Sequence, residues 1–294
     1  MITVIYDALA WWERDYICCD LLARVENKII KILNENEITN ELYYATNLSE
    51  LINRNIFVFS SNEKSFSNIK KIVELIQPLI VIHLSDEWGY NPEYLSLSDY
   101  TQLYLRQHNC ISYRTMNNQK VIQIPLGYMT GMYQSCLDIN ILPLTQRSYV
   151  WSFVGNMKQD RKLMISTFEK EFPNGFVGND LVPTEMYQIY SKSIFVLNGR
   201  GNVSLDCFRL YEAIIAGSIP VVVGEIEEIK HVFNYNGSFP PFLIATTWEN
   251  AVVECRELLK DEEKLVNILQ TNIDWFKNKI NDIQNKIQNI VERC

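Results

Sequence analysis

The run Leu79-Ile-Val-Ile-His-Leu84 constrains this chain more than any other segment. A strand with one wet face alternates apolar and polar residues, whereas a continuous apolar run bounded by Pro78 and Ser85-Asp86 fits a parallel strand covered on both faces. Similar short runs recur between helical patterns. Ile2–Tyr6 reads as a strand, and Trp11–Leu33 as a helix with Leu21, Leu22, Val25, Ile29 and Leu33 at helical spacing. Glu41–Thr46 and Asn55–Ser60 read as short strands around a small helix, Ser67–Gln77 as a helix closed by Pro78, and Val121–Ile124 as a further strand. This β-α-β rhythm predicts a doubly wound α/β sheet.

Residues 129–148 lack periodicity and carry Gly131 and Pro143, after which the rhythm restarts. Strands are expected at Tyr149–Val154, Gly175–Val177, Ile194–Leu197 and Ile219–Val223, with helices at Arg161–Lys170, Thr184–Ser191 and Leu205–Ala216. The tail from Asp261 forms one helix with Phe276, Ile280, Ile283, Ile287 and Ile290 on a seam, read as a packing helix rather than a dimerising coiled coil. A length of 294 residues fits two domains. The expectation is therefore an N-terminal Rossmann-like domain over 1–135 and a C-terminal one over 145–260, facing a central cleft. A helix over 261–294 would pack across both. Ligands of such sheets sit beyond the C-terminal strand ends.

Composition narrows the partners. A net charge of −8, from 27 basic and 35 acidic residues, argues against a nucleic acid, since tracking a phosphate backbone needs a basic surface. A small anion remains possible, because it needs only a local arginine cluster and helix N-termini. Seven scattered cysteines without a CxxC, and three histidines, assemble no zinc pattern and read as reduced thiols of a cytoplasmic protein. Neither a basic leader nor an apolar stretch of about 18 residues is found, so no membrane segment is expected, and the chain reads as a monomer or weak homodimer.

The chemistry concentrates in Asn198-Gly-Arg-Gly201 and the segment Ser204–Ala213 that follows it. Gly199 and Gly201 let backbone approach a ligand, Ser204 is placed to cap the expected helix, and Asp206 falls in its first turn. Arg209 and Glu212 lie three residues apart on one helical face. A guanidinium beside a phosphate and a carboxylate beside two ribose hydroxyls would explain the pair, and so would a surface ion pair.

Together with Gly217-Ser-Ile-Pro-Val221, this segment resembles the signature of exostosin-type glycosyltransferases, inverting enzymes of two-domain GT-B architecture. Pro125-Leu-Gly-Tyr128, Trp151-Ser-Phe-Val-Gly-Asn156 with Arg161, and His83-Leu-Ser-Asp-Glu87 resemble pieces of its compact members, including those of large algal viruses that build capsid glycans, which would place the chain in a host cytoplasm. The resemblance covers roughly residues 79–224 and implies transfer from a nucleotide-sugar, first of all UDP-xylose, to a hydroxyl of a glycan or glycoprotein. Glu212 would bind the ribose, Arg161 and Arg209 the diphosphate, and Gly155, Asn156 and Gly199 to Gly201 would line the donor, with the base near Phe176 to Asn179.

An inverting transfer needs a base on the acceptor hydroxyl. Asp86, just beyond the apolar strand, is the first candidate, Glu87 its rival and Asp7 the third, while His83 is expected in the sheet packing. Trp11, Trp12, Trp88 and Tyr90 are placed to stack on an acceptor sugar or to be core. No Asp-x-Asp occurs, and the acidic run Glu225, Glu227, Glu228 reads as a solvated face. Arginines are thus expected to carry the leaving charge without a metal. A non-catalytic two-domain sugar- or nucleotide-binding module and a retaining GT-B enzyme are the alternatives.

Overall fold

The computed structural model describes residues 1–34, 37, 52–61, 65–89, 92–109, 120–132, 141–158, 160–233 and 239–294. The expected strand Glu41–Thr46 and the helix after it, Tyr90, Cys110 and Cys136 lie outside them. The chain divides into two units, residues 1–125 with 281–294, and residues 126–280.

In the first unit the described strands are β1 (Thr3–Asp7), β2 (Ile29–Leu33), β3 (Asn55–Ser60), β4 (Ile80–Leu84), β5 (Leu103–Arg106) and β6 (Val121–Gln123). They form one sheet in the order β2-β1-β3-β4-β5-β6 with parallel pairing throughout. β3 and β4 are buried at every position, as continuous apolar runs require of central parallel strands. Helix α1 (Phe66–Ile76) packs Ile69, Ile72, Val73 and Ile76 onto the sheet and ends at Gln77, which takes a left-handed conformation before Pro78.

The helix expected over Trp11–Leu33 is not formed as such. A π-helical segment spans Tyr16–Leu21, turns follow with Asn27 at φ 51°, and Ile29–Leu33 is the edge strand β2. The isoleucines at 29, 30 and 32 are exposed, and their β-branched side chains suit the ladder in which Thr3 to Asp7 face Ile29 to Leu33. The helical spacing of Ile29 and Leu33 with Leu21, Leu22 and Val25 is a coincidence within this strand.

In the second unit β7 (Tyr149–Val154), β8 (Gly175–Gly178), β9 (Ser193–Asn198), β10 (Ile219–Val223) and β11 (Leu243–Ala245) build a parallel sheet in the order β11-β10-β9-β7-β8. Helices α2 (Arg161–Glu171), α3 (Pro183–Ser191), α4 (Phe208–Ile215), α5 (Ile226–Phe233) and α6 (Trp248–Leu258) alternate with the strands. One core joins Trp151 and Phe153 of β7, Met164 and Phe168 of α2, and Trp248 and Val252 of α6.

Helix α7 (Glu262–Val291) realises the predicted tail. Its residues to 280 belong to the second unit, where Phe276 packs against Tyr211 and Trp275 against Phe242. Residues 281–294 belong to the first unit, where Gln284 donates to the Asp20 carbonyl at 2.7 Å. No described helix is long and apolar enough to cross a membrane.

Candidate functional site

The C-terminal ends of β7 and β9, neighbours in the second sheet, are followed by the two glycine-containing loops. Two arginines hold these loops in place. Arg161, the first residue of α2, donates to the Asn156 carbonyl at 2.7 Å and to the Arg200 carbonyl at 3.1 and 2.7 Å. Arg209, the second residue of α4, donates through Nε to the Val154 carbonyl at 3.0 Å and through Nη1 to the Gly199 carbonyl at 3.5 Å. Both guanidinium groups lie near the Phe153 ring, at 5.5 and 4.5 Å from its centroid. A cation over a desolvated aromatic face is held more firmly than one in water.

The glycines answer to these arginines. A Cβ on Gly155, whose φ is 145°, would stand 2.6 Å from Nη2 of Arg209. One on Gly199 would stand 2.8 Å from Cγ of Arg161 and 3.1 Å from the Met164 sulfur. Both positions are thus closed to a side chain.

Glu212 follows on α4 and is 1% exposed. Its carboxylate accepts the Met129 N–H at 3.4 Å, and burial lifts its pKa to about 7 against the opposing pull of Arg209. The pair is therefore buried, unlike a surface ion pair, and each member makes its hydrogen bonds to a different stretch of backbone. Tyr190, fully buried, faces both, and its hydroxyl is pushed above its ordinary range by burial first of all.

Other expected members take structural positions. The helix begins at Phe208 after Cys207, so Ser204 does not cap it and Asp206 is not in its first turn. The reason is local. Ser204 Oγ accepts the Asp206 N–H at 3.0 Å, Asn198 Nδ2 holds the Leu205 carbonyl at 2.8 Å, and the buried Asp206 carboxylate accepts the Tyr211 hydroxyl at 2.6 Å. Such short side-chain bonds compete with the first helical turn. Gly201 is buried and donates to the Ser204 carbonyl at 2.8 Å, closing the loop. Asn156 is exposed. Within the acidic run, Glu225 and Glu227 face solvent, but Glu228 grips Arg200 at 2.5 and 3.0 Å. That ion pair ties α5 to the Gly199–Gly201 loop.

In the first unit the residues expected to serve an acceptor cluster at strand ends. Asp7, the last residue of β1, is buried and accepts the Leu9 N–H at 3.1 Å and the Ser60 N–H at 3.5 Å. Asp86, two residues past β4, is buried and paired with Arg106 at 3.4 Å, while Glu87 is half-buried and acts electrostatically on His108. His108 is pushed down to about 4, chiefly by burial. His83 stacks on Phe59 at 4.7 Å, shares a 2.8 Å hydrogen bond with Tyr104 and is held well below its ordinary range by burial, as packing in the sheet requires. Trp11 and Trp12 stack on one another at 4.0 Å and are 49% and 44% exposed, and Trp88 is exposed too. These tryptophans are surface groups, not core.

Sequence reasoning missed Glu13. It is 4% exposed, and burial raises its pKa to about 7. Its only sequence signal is a carboxylate following two tryptophans just past a strand end.

No protein-family model matches the sequence, and no curated protein sequence does. Solved structures do resemble the fold. An alpha-glucosyltransferase in complex with UDP and a 13-mer DNA containing a HMU base is 8% identical, with a TM-score of 0.62 over 99% of both chains. Alr3699/HepE of Anabaena in complex with UDP and glucose is also 8% identical, with a TM-score of 0.60 over 100% of both chains. This is the GT-B fold. A second alpha-glucosyltransferase structure, with UDP-glucose and DNA containing an abasic site, is 10% identical with a TM-score of 0.55 over 94% of each chain. At this identity the likeness concerns the fold alone.

Proposed function

We propose that this chain transfers a glycosyl group from a UDP-sugar to an acceptor hydroxyl. The observation that carries the reading is the buried Arg209–Glu212 pair beside two glycine-containing loops at the ends of adjacent parallel strands. Buried charges are costly in a purely structural role, and they cluster where ligands bind. A nucleoside diphosphate matches them in kind. Glu212 accepts from ribose hydroxyls, and Arg161 and Arg209 meet the diphosphate charge that grows as the sugar leaves. The loops at Gly155, Asn156 and Gly199 to Gly201 line the donor. The UDP held by similarly folded alpha-glucosyltransferase and HepE supports uridine as the base.

Inversion at the anomeric carbon, xylose as the first sugar to test and activity without a divalent ion rest on the exostosin-type resemblance of the 199–221 segment and on the two arginines. For the acceptor we favour a glycan hydroxyl. Two similarly folded structures hold DNA, but a net charge of −8 opposes attraction to a polyanion.

A thermal-unfolding screen against UDP-xylose, UDP-glucose and other nucleotide-sugars in EDTA tests the reading. A donor at 100 times its Kd stabilises the fold by about 2.7 kcal/mol. Stabilisation by a UDP-sugar in EDTA is expected. A flat response to the whole panel, or one that appears only with manganese, contradicts it.

A further inference from the structure

The first sheet has a cavity at the end away from Asp7 and Asp86. It lies at the amino-terminal ends of β3, β4 and β5, three neighbouring strands, and has a volume of about 340 Å³. Pockets that hold small molecules span about 300–1,000 Å³.

Two left-handed turns shape this hollow. Asn53, just before β3, has a φ of 59°, and Gln77, at the end of α1, has a φ of 40°. The Asn53 N–H donates to the Gln77 carbonyl at 3.2 Å, which holds the two turns side by side. The Leu79 carbonyl accepts the Gln102 N–H at 3.0 Å and the Thr101 hydroxyl at 2.7 Å, fixing the entry to β5 against the entry to β4. These backbone groups are bonded within the fold, so recognition of a ligand falls to the side chains.

Their chemistry is specific in kind. Asn53, Gln77 and Gln102 supply three exposed amides, Asp99 a carboxylate and Tyr100 an aromatic ring, beside the buried Pro78. The Tyr100 hydroxyl donates to Glu74 at 2.9 Å, and Glu74 pairs with Lys70 at 3.7 Å, so the ring is held by groups outside the lining. None of the three amides makes a side-chain hydrogen bond among the described residues, and no lysine or arginine lines the cavity.

We propose that this cavity binds an uncharged sugar ring, at a site of its own in the first unit. An amide both donates and accepts, as a hydroxyl does, so three amides suit a ring that carries hydroxyls in several directions. Asp99 accepts from neighbouring hydroxyls in bonds strengthened by its charge. Tyr100 and Pro78 offer apolar surface to the C–H face of the ring. An anionic ligand would meet the Asp99 carboxylate and no cation in the lining. A wholly apolar one would desolvate the amides without bonding them. A single carboxylate is a poor cage for a divalent cation. The inference rests on the lining alone and not on the glycosyl-transfer reading.

The test is NMR titration of the full chain with xylose, glucose, galactose and N-acetylglucosamine in the absence of nucleotide, alongside calorimetric titration with UDP. Binding of at least one of these sugars is expected. Tyr100→Ala should weaken it about three- to tenfold and Asp99→Asn about tenfold. Each variant should keep the Kd for UDP within about twofold of the wild type. Should Tyr100→Ala fail to fold, Gln102→Ala at an exposed position takes its place, with a loss of about threefold or more. Equal sugar affinity in the wild type and the variants overturns the assignment, and so does the absence of binding by all four sugars. Sugar binding that the variants weaken, in a protein that does not bind UDP, removes the transfer reading and leaves this site standing.

Discussion

Gly155 shows most directly how single residues shape the strand ends of the second unit. Its φ of 145° suits only glycine, and its missing side chain is what Nη2 of Arg209 fills. Gly155→Ala should therefore destabilise the second unit by about 1–3 kcal/mol in urea unfolding and weaken UDP binding by displacing the arginine. Glu212 carries a pH signature. Burial raises its folded pKa from 4.5 to about 7, so between those values the folded state holds a proton that the unfolded chain has released. Stability from this group is present below about pH 4.5 and is lost as pH rises towards 7, at up to about 1.4 kcal/mol per unit. Glu212→Gln should remove its share of that fall. His83 and His108, whose pKa values are lowered, act in the opposite direction over part of this range, so the difference between variant and wild-type melting curves is the quantity to compare. Arg161, Arg209 and Glu212 were visible in the sequence as charged residues around the glycine-containing strand ends, and the structure buries all three. Glu13 was not so visible, because its distinction is burial next to Gln107, about 94 residues away in sequence, and no local pattern records it.

Elements were legible in proportion to their burial. β3 and β4, buried at every position, announced themselves as unbroken apolar runs. The edge strand β2 did not, because its positions are largely exposed and Ile29 and Leu33 happen to continue the helical spacing of Leu21, Leu22 and Val25. The start of α4 was misplaced by three residues because Ser204 and Asp206 have the composition of a helix cap, yet their bonds go to a turn and to Tyr211. Asp206→Asn should thus cost about 1–3 kcal/mol by weakening a buried charge-assisted bond, where a surface cap would cost less. The Glu228–Arg200 pair between α5 and the glycine loop is half-exposed, so Glu228→Gln should change stability by about 1 kcal/mol or less. Its larger effect is expected on UDP affinity, read by calorimetry, because it loosens the loop that Gly199 and Gly201 shape.

For the whole molecule, each unit carries its own parallel sheet and core, and the long terminal helix supplies residues to both. Its last segment is not an appendage. Ile283 and Ile287 are buried, and Gln284 and Arg24 tie residues 281–285 to the segment after β1. Deletion of residues 281–294 should lower the unfolding free energy of the first unit by several kcal/mol, at about 1.5–3 per buried isoleucine. UDP binding by the second unit should persist. One titration tests the proposed UDP site. UDP is titrated calorimetrically into the wild-type protein and Glu212→Gln at pH 8, and into the wild type again at pH 6. Binding by the wild type, weakened about tenfold or more by Glu212→Gln and weakened also at pH 6 as Glu212 takes up its proton, is the predicted result. Equal affinity in both proteins, or no binding by the wild type, would contradict it.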